Sequence, residues 1–152
     1  METKYNSEAE TRKHIARVVE LLLEVAKNLL TRANVHDRSK LEEPEKSTFD
    51  KITQDLKGMT YGSDLYKEKL KEFAPALSHH YEKNSHHPEH FPKGISGMSL
   101  LDIIEMLGDW KAATERHADG SLEKSLEINK GRFEIGDQLL SILKNTKREM
   151  GW

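Results

Sequence analysis

The sequence predicts an all-α fold, a single domain of about five or six helices that covers residues 1–152. Apolar residues recur at spacings of three and four along most of the chain, and no segment shows the apolar and polar alternation of a strand. Capping-box patterns, in which Ser stands three positions before an acidic residue, precede two apolar runs at Ser7 and Ser99. A chain of 152 residues is long enough to bury one core.

The first helix is expected from about residue 8 to the low thirties, because its apolar residues keep a helical period. These residues are Ile15, Val18, Val19, Leu22, Val25, Ala26, Leu29 and Leu30. The polar segment HDRSKLEEPEKS follows and contains Pro44, which predicts a turn region. A short second helix should then end near Gly58, with an apolar face made of Phe49, Ile52 and Leu56.

The third helix is expected to start at Gly62 and Ser63. Its apolar stripe consists of Tyr66, Leu70, Phe73 and Leu77 and continues into His80 and Tyr81. His80 should therefore point inward, and His79 less so. Pro75 either kinks this helix or begins its second half. The segment EKNSHHPEHFPKGISG is rich in Pro, Gly, Asn and Ser and predicts a loop.

Two more helices complete the predicted fold. One begins after Ser99 and stops at Gly120; the other runs from about Ser121 to the mid-140s. The first carries Leu100, Ile103, Ile104, Leu107 and Lys111 on one side and Asp102, Glu105 and Asp109 on the other. The buried face of the last helix should consist of Leu122, Leu126, Phe133, Leu140 and Leu143. Asp102 is expected to cap its helix, and Trp110 to lie in the core.

Composition excludes several classes of protein. The formal charge of -2 argues against a protein that mainly neutralises nucleic-acid phosphates. Because the chain has no cysteine, any metal must be bound by nitrogen and oxygen atoms. No apolar run is long enough to span a membrane or to act as a secretory signal, so a cytoplasmic protein is expected. A homo-oligomer is compatible with the sequence.

Five of the eight histidines lie within the twelve residues HHYEKNSHHPEH, at positions 79 to 90. Histidine is the commonest metal ligand, so this loop predicts an ion site unless it is simply a solvated polar segment. The doublet His36-Asp37 offers a nitrogen and an anionic oxygen, although an Asp at this place also caps helices. Asp109 offers a carboxylate from a later helix. This mixture suits Mn, Fe, Co, Ni or Zn, as one or two ions.

Within the histidine loop, His80 and His87 are the preferred ligands, whereas His86 and His90 are expected to bind substrate phosphate or to be exposed. Glu105 either supports a ligating histidine or is a surface charge. Lys40 is expected to hold a phosphate oxygen or to pair with an acidic neighbour, Glu42 or Glu43, in solvent.

The segments HDRSK and EMLGDWKAA resemble the HD superfamily of metal-dependent phosphohydrolases, which gather an early helical histidine, a His-Asp doublet and a later helical aspartate at one metal. More closely, HDRSK, HYEKNSHHPEH and EMLGDWKA in this order look like a family of small uncharacterised proteins encoded by phages and bacteria, over roughly residues 10 to 115. The superfamily resemblance implies an HD-domain-like fold, metal ligands at His36, Asp37, Asp109 and His14, and intervening histidines for a second ion. A phage-encoded member would act in the host cytoplasm.

His14 departs from the superfamily pattern. If the first helix is unbroken, the 22 positions from His14 to His36 span roughly 33 Å, which is too far for one ion. Either the helix breaks between Asn28 and Asn34, or His14 is not a ligand.

Three functions fit these observations. The first is hydrolysis of a nucleotide or another small phosphate ester by a metal-activated water, with Asp37 and Lys40 taking part in catalysis. The second is a non-catalytic helical protein that holds a structural metal or sequesters a nucleotide. The third is a metal-free helical interaction protein.

Overall fold

The computed structural model describes residues 5–55, 59, 63–116 and 120–152; of the side chains in its helices, those of 66, 67, 70 and 72 lie outside the description. These residues form seven α-helices: α1 Glu8–Val35, α2 Glu45–Asp55, α3 Asp64–Glu72, α4 Ala74–Lys83, α5 Leu100–Thr114, α6 Leu122–Phe133 and α7 Asp137–Glu149. Short 3-10 helices span Arg38–Leu41, Pro88–His90 and Gly94–Gly97. The described ranges contain no strand, which confirms the all-α prediction.

The chain divides into two units, one ending at His36 and the other running from Asp37 to Trp152. Whether one domain covers residues 1–152 therefore stays a prediction. Among the described residues, no helix is both long and apolar enough to cross a membrane.

In the first unit, helix α1 is the regular structure of the described residues, and it runs without a break, as its apolar period predicted. Its N-terminus is capped differently from the prediction. The Ser7 side chain makes no capping bond, and the Asn6 side chain accepts from the Glu8 N–H at 2.9 Å instead. One helix has no core of its own, so aliphatic side chains such as Leu22 and Leu23 are exposed.

The core of the second unit is built by α5, α6 and α7. Its buried members are Met106, Leu107, Trp110, Leu122, Leu126, Ile135, Leu140 and Leu143. Trp110 stacks on Phe133 with ring centroids 6.0 Å apart, so it is a core residue, as predicted. Lys144 on α7 also forms ion pairs with Glu123 and Glu127 of α6.

The predicted last helix is in fact two helices. Glu134 adopts a left-handed conformation with φ 52°, and Gly136 then caps the start of α7. This turn places Ile135 in the core, where it is 3% exposed. Ile135 was not part of the buried face predicted for one continuous helix. Burial of Ile135 therefore accompanies the break.

The predicted third helix is also divided, into α3 and α4. Pro75 lies in the first turn of α4, where its missing N–H costs no hydrogen bond, so it begins the second half of the predicted helix. Phe73 and Ala76 are buried, as is Ile52 of the facing α2. The predicted boundaries at Gly58 and Gly62, and the side chains of Tyr66 and Leu70, lie outside the described residues.

Helix α5 starts with the predicted capping box. Ser99 accepts from the Asp102 N–H, and the Asp102 carboxylate accepts from the Ser99 N–H at 2.8 Å. Asp102 also accepts from the Ser85 hydroxyl at 2.6 Å, which ties the histidine loop to this helix. The predicted end at Gly120 is wrong, because α5 ends at Thr114. Leu100 and Ile104, placed on its apolar side by the sequence, are exposed.

Candidate functional site

Four side chains of the second unit converge at one point. Asp37 precedes the 3-10 helix Arg38–Leu41, His80 lies on α4, and His86 and His87 come from the loop that follows. One ligand atom from each lies within 4.8 Å of the other three. His80 and His86 are 1% and 2% exposed. The geometry therefore groups two preferred ligands, His80 and His87, with Asp37 and also with His86.

The ring nitrogens and the carboxylate face one another closely. The Asp37 Oδ1 lies 3.3 Å from the His80 Nε2 and 3.4 Å from the His86 Nε2. The Nε2 atoms of His80 and His87 are 2.9 Å apart. An ion placed among these atoms would be met by three imidazole nitrogens and one carboxylate oxygen, a ligand set suited to the later divalent transition metals.

The local backbone explains how these residues meet. Asp37 has a left-handed conformation with φ 54°, which Asp tolerates better than most residues. The Asn84 N–H bonds to the His80 carbonyl at the end of α4, and the His87 N–H bonds back to the Asn84 carbonyl. This turn brings His86 and His87 back toward His80.

A carboxylate lies behind each of the two buried histidines. The Glu105 Oε1 is 3.2 Å from the His86 Nδ1, so Glu105 supports a histidine of the cluster and is not a free surface charge. The Glu45 Oε2 is 2.9 Å from the His80 Nδ1. An ionised carboxylate only accepts hydrogen bonds, so each of these contacts is a hydrogen bond when the Nδ1 atom carries the proton. A ring protonated on Nδ1 alone has its lone pair on Nε2, the nitrogen that faces the cluster in both histidines.

Sequence reasoning missed Glu45. It lies in the polar segment EEPEKS, where its acidic neighbours Glu42 and Glu43 give the same signal of a turn or a helix start. In the structure Glu45 is fully buried, and its Oε1 also contacts the His79 Nδ1 at 2.7 Å. Only the packing of α2 on α4 distinguishes it from those neighbours.

Lys40 and Asp109 lie at the edge of the cluster. The Lys40 ammonium donates to the Asp37 Oδ2 at 2.6 Å and lies over the ring of Phe49, so its predicted partners Glu42 and Glu43 are not the ones observed. A carboxylate oxygen of Asp109 lies within 4.8 Å of one of Asp37. Asp109 also favours the protonated form of His87 electrostatically.

Burial and neighbouring charges shift the ionisation of the cluster. Burial raises the pKa of Asp37, but the nearby side chains of His80, His86 and Lys40 favour its ionised form more strongly and hold this pKa well below its usual range. Burial, together with His86 and His80, lowers the pKa of His87 to about 3 despite the opposing carboxylates of Asp109 and Asp37. At neutral pH Asp37 is therefore anionic and His87 neutral, the forms that bind a metal.

Three predicted site residues have different outcomes. His86 is buried in the ligand cluster, so its expected exposure is wrong, whereas its contact with substrate stays a prediction. His90 donates from Nδ1 to the Tyr81 carbonyl at 2.8 Å and ties the loop to α4; its role toward substrate stays a prediction. His36 ends the first unit, next to Asp37 in the chain, and its role as a ligand also stays a prediction.

His14 is corrected by the structure. Helix α1 continues through Asn28 and Asn34 to Val35 without the break that a shared site required. The 22 positions from His14 to His36 therefore span about 33 Å, and the two histidines cannot bind one ion. His14 is accordingly removed from the ligand set.

A family model described as a family of unknown function (DUF5662) matches residues 3–149, and the chain belongs to that family. No curated protein and no solved structure matches the chain.

Proposed function

We propose that this member of the DUF5662 family binds a divalent transition metal through Asp37, His80, His86 and His87 and uses it to hydrolyse a small phosphate ester. The observation that carries the proposal is the approach of one carboxylate oxygen and three imidazole nitrogens to within 4.8 Å. Buried polar groups are costly unless they are paired, and an ion would satisfy all four atoms together.

The surrounding charges favour a cation. Four carboxyl groups lie in or directly behind the cluster, those of Asp37, Glu45, Glu105 and Asp109. The Lys40 ammonium pairs with one of them. The nitrogen-rich donor set favours Mn, Fe, Co, Ni or Zn over Ca and Mg.

The residues around the cluster suit hydrolysis of a phosphate ester. A bound divalent ion supplies an activated water and positive charge for an oxygen of the substrate. Lys40 is 30% exposed and would offer its ammonium to a phosphate oxygen while still holding Asp37. Asp109 lies close enough to Asp37 to accept a proton from the activated water or to bind a second cation. The resemblance of HDRSK and EMLGDWKAA to HD phosphohydrolases supports this reaction class and suggests a nucleotide as substrate.

A second candidate function is a structural metal site. Four side chains are grouped, which is the number of ligands that completes a tetrahedral zinc site, and two of these side chains are almost fully buried. Zinc bound in that way would leave no position for water. A metal that prefers six ligands would keep positions open with the same side chains.

Reconstitution followed by a substrate screen tests the proposal. Metal-free protein loaded separately with Mn, Fe, Co, Ni or Zn would be assayed on nucleotides and simple phosphomonoesters. We expect turnover that Asp37→Ala abolishes and Lys40→Met lowers while metal content is kept. The matched control is Lys46→Met, which removes another Asp-paired lysine, on α2. An Asp37→Ala variant with the wild-type rate would contradict the proposal, and stoichiometric zinc without turnover would favour the structural site.

A further inference from the structure

We infer that Glu45 is a positioning residue that fixes the His80 proton on Nδ1, so that the His80 Nε2 is available to a metal while the neighbouring His79 is kept out of the ligand set. The inference rests on the proposed metal site and deepens it. It assigns a role to a fully buried acidic residue to which neither the sequence pattern nor the family description gives one.

Glu45 uses each carboxylate oxygen for a different histidine. Its Oε1 lies 2.7 Å from the His79 Nδ1, and its Oε2 lies 2.9 Å from the His80 Nδ1. The two rings differ in burial: the His80 side chain is 2% exposed and that of His79 is 34% exposed. Adjacent residues on a helix point in directions about 100° apart, so only one of them enters the cluster. Glu45 therefore contacts the same ring atom, Nδ1, in both histidines, and helix geometry selects His80 for the cluster.

The neighbouring hydrogen bonds determine which atom supplies the proton in the contact between Glu45 and His80. The two N–H groups of the Asn84 amide are used by the Ser39 Oγ at 2.9 Å and by the His80 carbonyl at 2.8 Å. The Ser39 hydroxyl then donates to the Glu45 Oε2 at 2.9 Å. Because the hydrogens of Asn84 and Ser39 are already donated, the contact between Glu45 and His80 needs its proton from the His80 Nδ1.

Without Glu45 the same atoms would favour the opposite tautomer. The Asp37 Oδ1 lies 3.3 Å from the His80 Nε2 and would accept a proton placed there. The Asn84 amide lies 3.0 Å from the His80 Nδ1 and would donate to that nitrogen once it lost its proton. This arrangement gives each ring nitrogen of His80 a partner, yet it places a hydrogen where the metal must bind. Glu45 prevents this tautomer, because it accepts the proton of the His80 Nδ1 and leaves the Nε2 available to a metal.

The decisive variant is Glu45→Met, which keeps an unbranched side chain of similar length and removes both acceptor oxygens. We expect it to weaken cobalt and zinc binding about 10-fold to 100-fold, as changes behind a ligating histidine usually do. Glu45→Gln keeps one amide oxygen for His80 and should recover most of the affinity. Glu43→Met, an exposed change in the same segment, should bind like the wild type. His79→Ala should keep the wild-type metal stoichiometry.

Nitrogen NMR of the histidine rings tests the tautomer without any metal. In the wild type we expect a proton on the His80 Nδ1 at alkaline pH, retained in Glu45→Gln and moved to Nε2 in Glu45→Met. A wild-type His80 that lacks the Nδ1 proton overturns the inference, as does wild-type metal affinity in Glu45→Met. If Glu45→Met does not fold, the wild-type spectrum alone decides. If the wild type binds no metal, the proposed function fails while this spectrum still tests the role of Glu45.

Discussion

The Nε2 atoms of His80 and His87 lie 2.9 Å apart. The His80 ring carries its proton on Nδ1, toward Glu45, so its Nε2 presents a lone pair to the partner ring. A proton on the His87 Nε2 satisfies this contact when no ion is bound, and a cation can replace that proton. The two nitrogens can therefore form a hydrogen bond in the metal-free protein, and they lie close enough together to bind one ion.

Metal should stabilise the folded protein. An ion that binds the native state at a free concentration 100 times its Kd adds about 2.7 kcal/mol to the free energy of unfolding. We expect the Tm to rise when Zn, Co or Ni is added to metal-free protein and to fall when a chelator is added. His87→Ala should lose most of this rise, whereas Lys46→Met should keep it. A Tm that does not respond to any of these ions would contradict the site.

Glu105 should act on metal affinity through His86. Glu105→Ala removes the acceptor that lies 3.2 Å from the His86 Nδ1, so the ring can move or change its tautomer. We expect the Kd for cobalt, followed by its visible absorption, to rise about 10-fold to 100-fold. The control is Glu115→Ala, which removes an exposed carboxylate at the end of the same helix. Equal affinities of the two variants would show that Glu105 is only a structural partner.

The metal-free protein should lose stability in acid through Glu45. Burial raises the pKa of this carboxyl, but hydrogen bonds from His79, Ser39 and His80 outweigh it and hold the pKa below its ordinary value of 4.5. The unfolded chain then binds the extra proton more readily, so the stabilisation is full above pH 4.5 and is lost as the pH falls through the folded-state pKa.

Denaturant unfolding with chelator present, between pH 7 and pH 3.5, measures this effect. Glu45→Gln should be less stable than the wild type at pH 7, and the difference should shrink as the pH falls. Glu43→Gln should follow the wild type throughout. A constant difference between Glu45→Gln and the wild type over this pH range would show that Glu45 ionisation is not linked to folding.

Leu126 should be the more sensitive of two apolar residues on α6. It is fully buried in the core, whereas Ile128, two positions later, is 50% exposed. Leu126→Ala should lower the free energy of unfolding by about 2–5 kcal/mol, because it removes buried apolar area and leaves a cavity. Ile128→Ala should change it by about 0.5 kcal/mol. Similar losses in the two variants, measured by urea unfolding, would contradict the described core.

His14 should not affect the metal. Since α1 is continuous, His14→Ala is expected to leave metal stoichiometry and affinity at wild-type values. Isothermal titration with cobalt provides the measurement. Loss of one equivalent of metal in His14→Ala would require a break in α1 that the structure does not have.

Periodicity and capping patterns predicted the helical class and most helix positions, because both are local properties of the chain. They predicted the inward orientation of His80 and the cap at Asp102 correctly. They did not predict the break at Glu134, since burial of Ile135 depends on packing between α6 and α7. Similarly, no local pattern distinguished Ser7 from Asn6 as the cap of α1.

The candidate site was predicted in part for the same reason. Residue chemistry and the loop signal singled out Asp37, His80 and His87. Glu45 was missed, and burial of His86 was not predicted, because both depend on contacts across the fold; Glu45 and His80 are 35 positions apart in the chain. A sequence pattern cannot show which member of a charged segment becomes buried against a ligand.

The most direct measurement is the metal content of tag-free protein purified without chelator, compared with the Asp37→Ala and His80→Ala variants. The proposed site predicts about one equivalent of a transition metal or more in the wild type and its loss in both variants, with helical structure retained. Wild-type protein that contains no metal and fails to bind added Mn, Fe, Co, Ni or Zn would contradict the account.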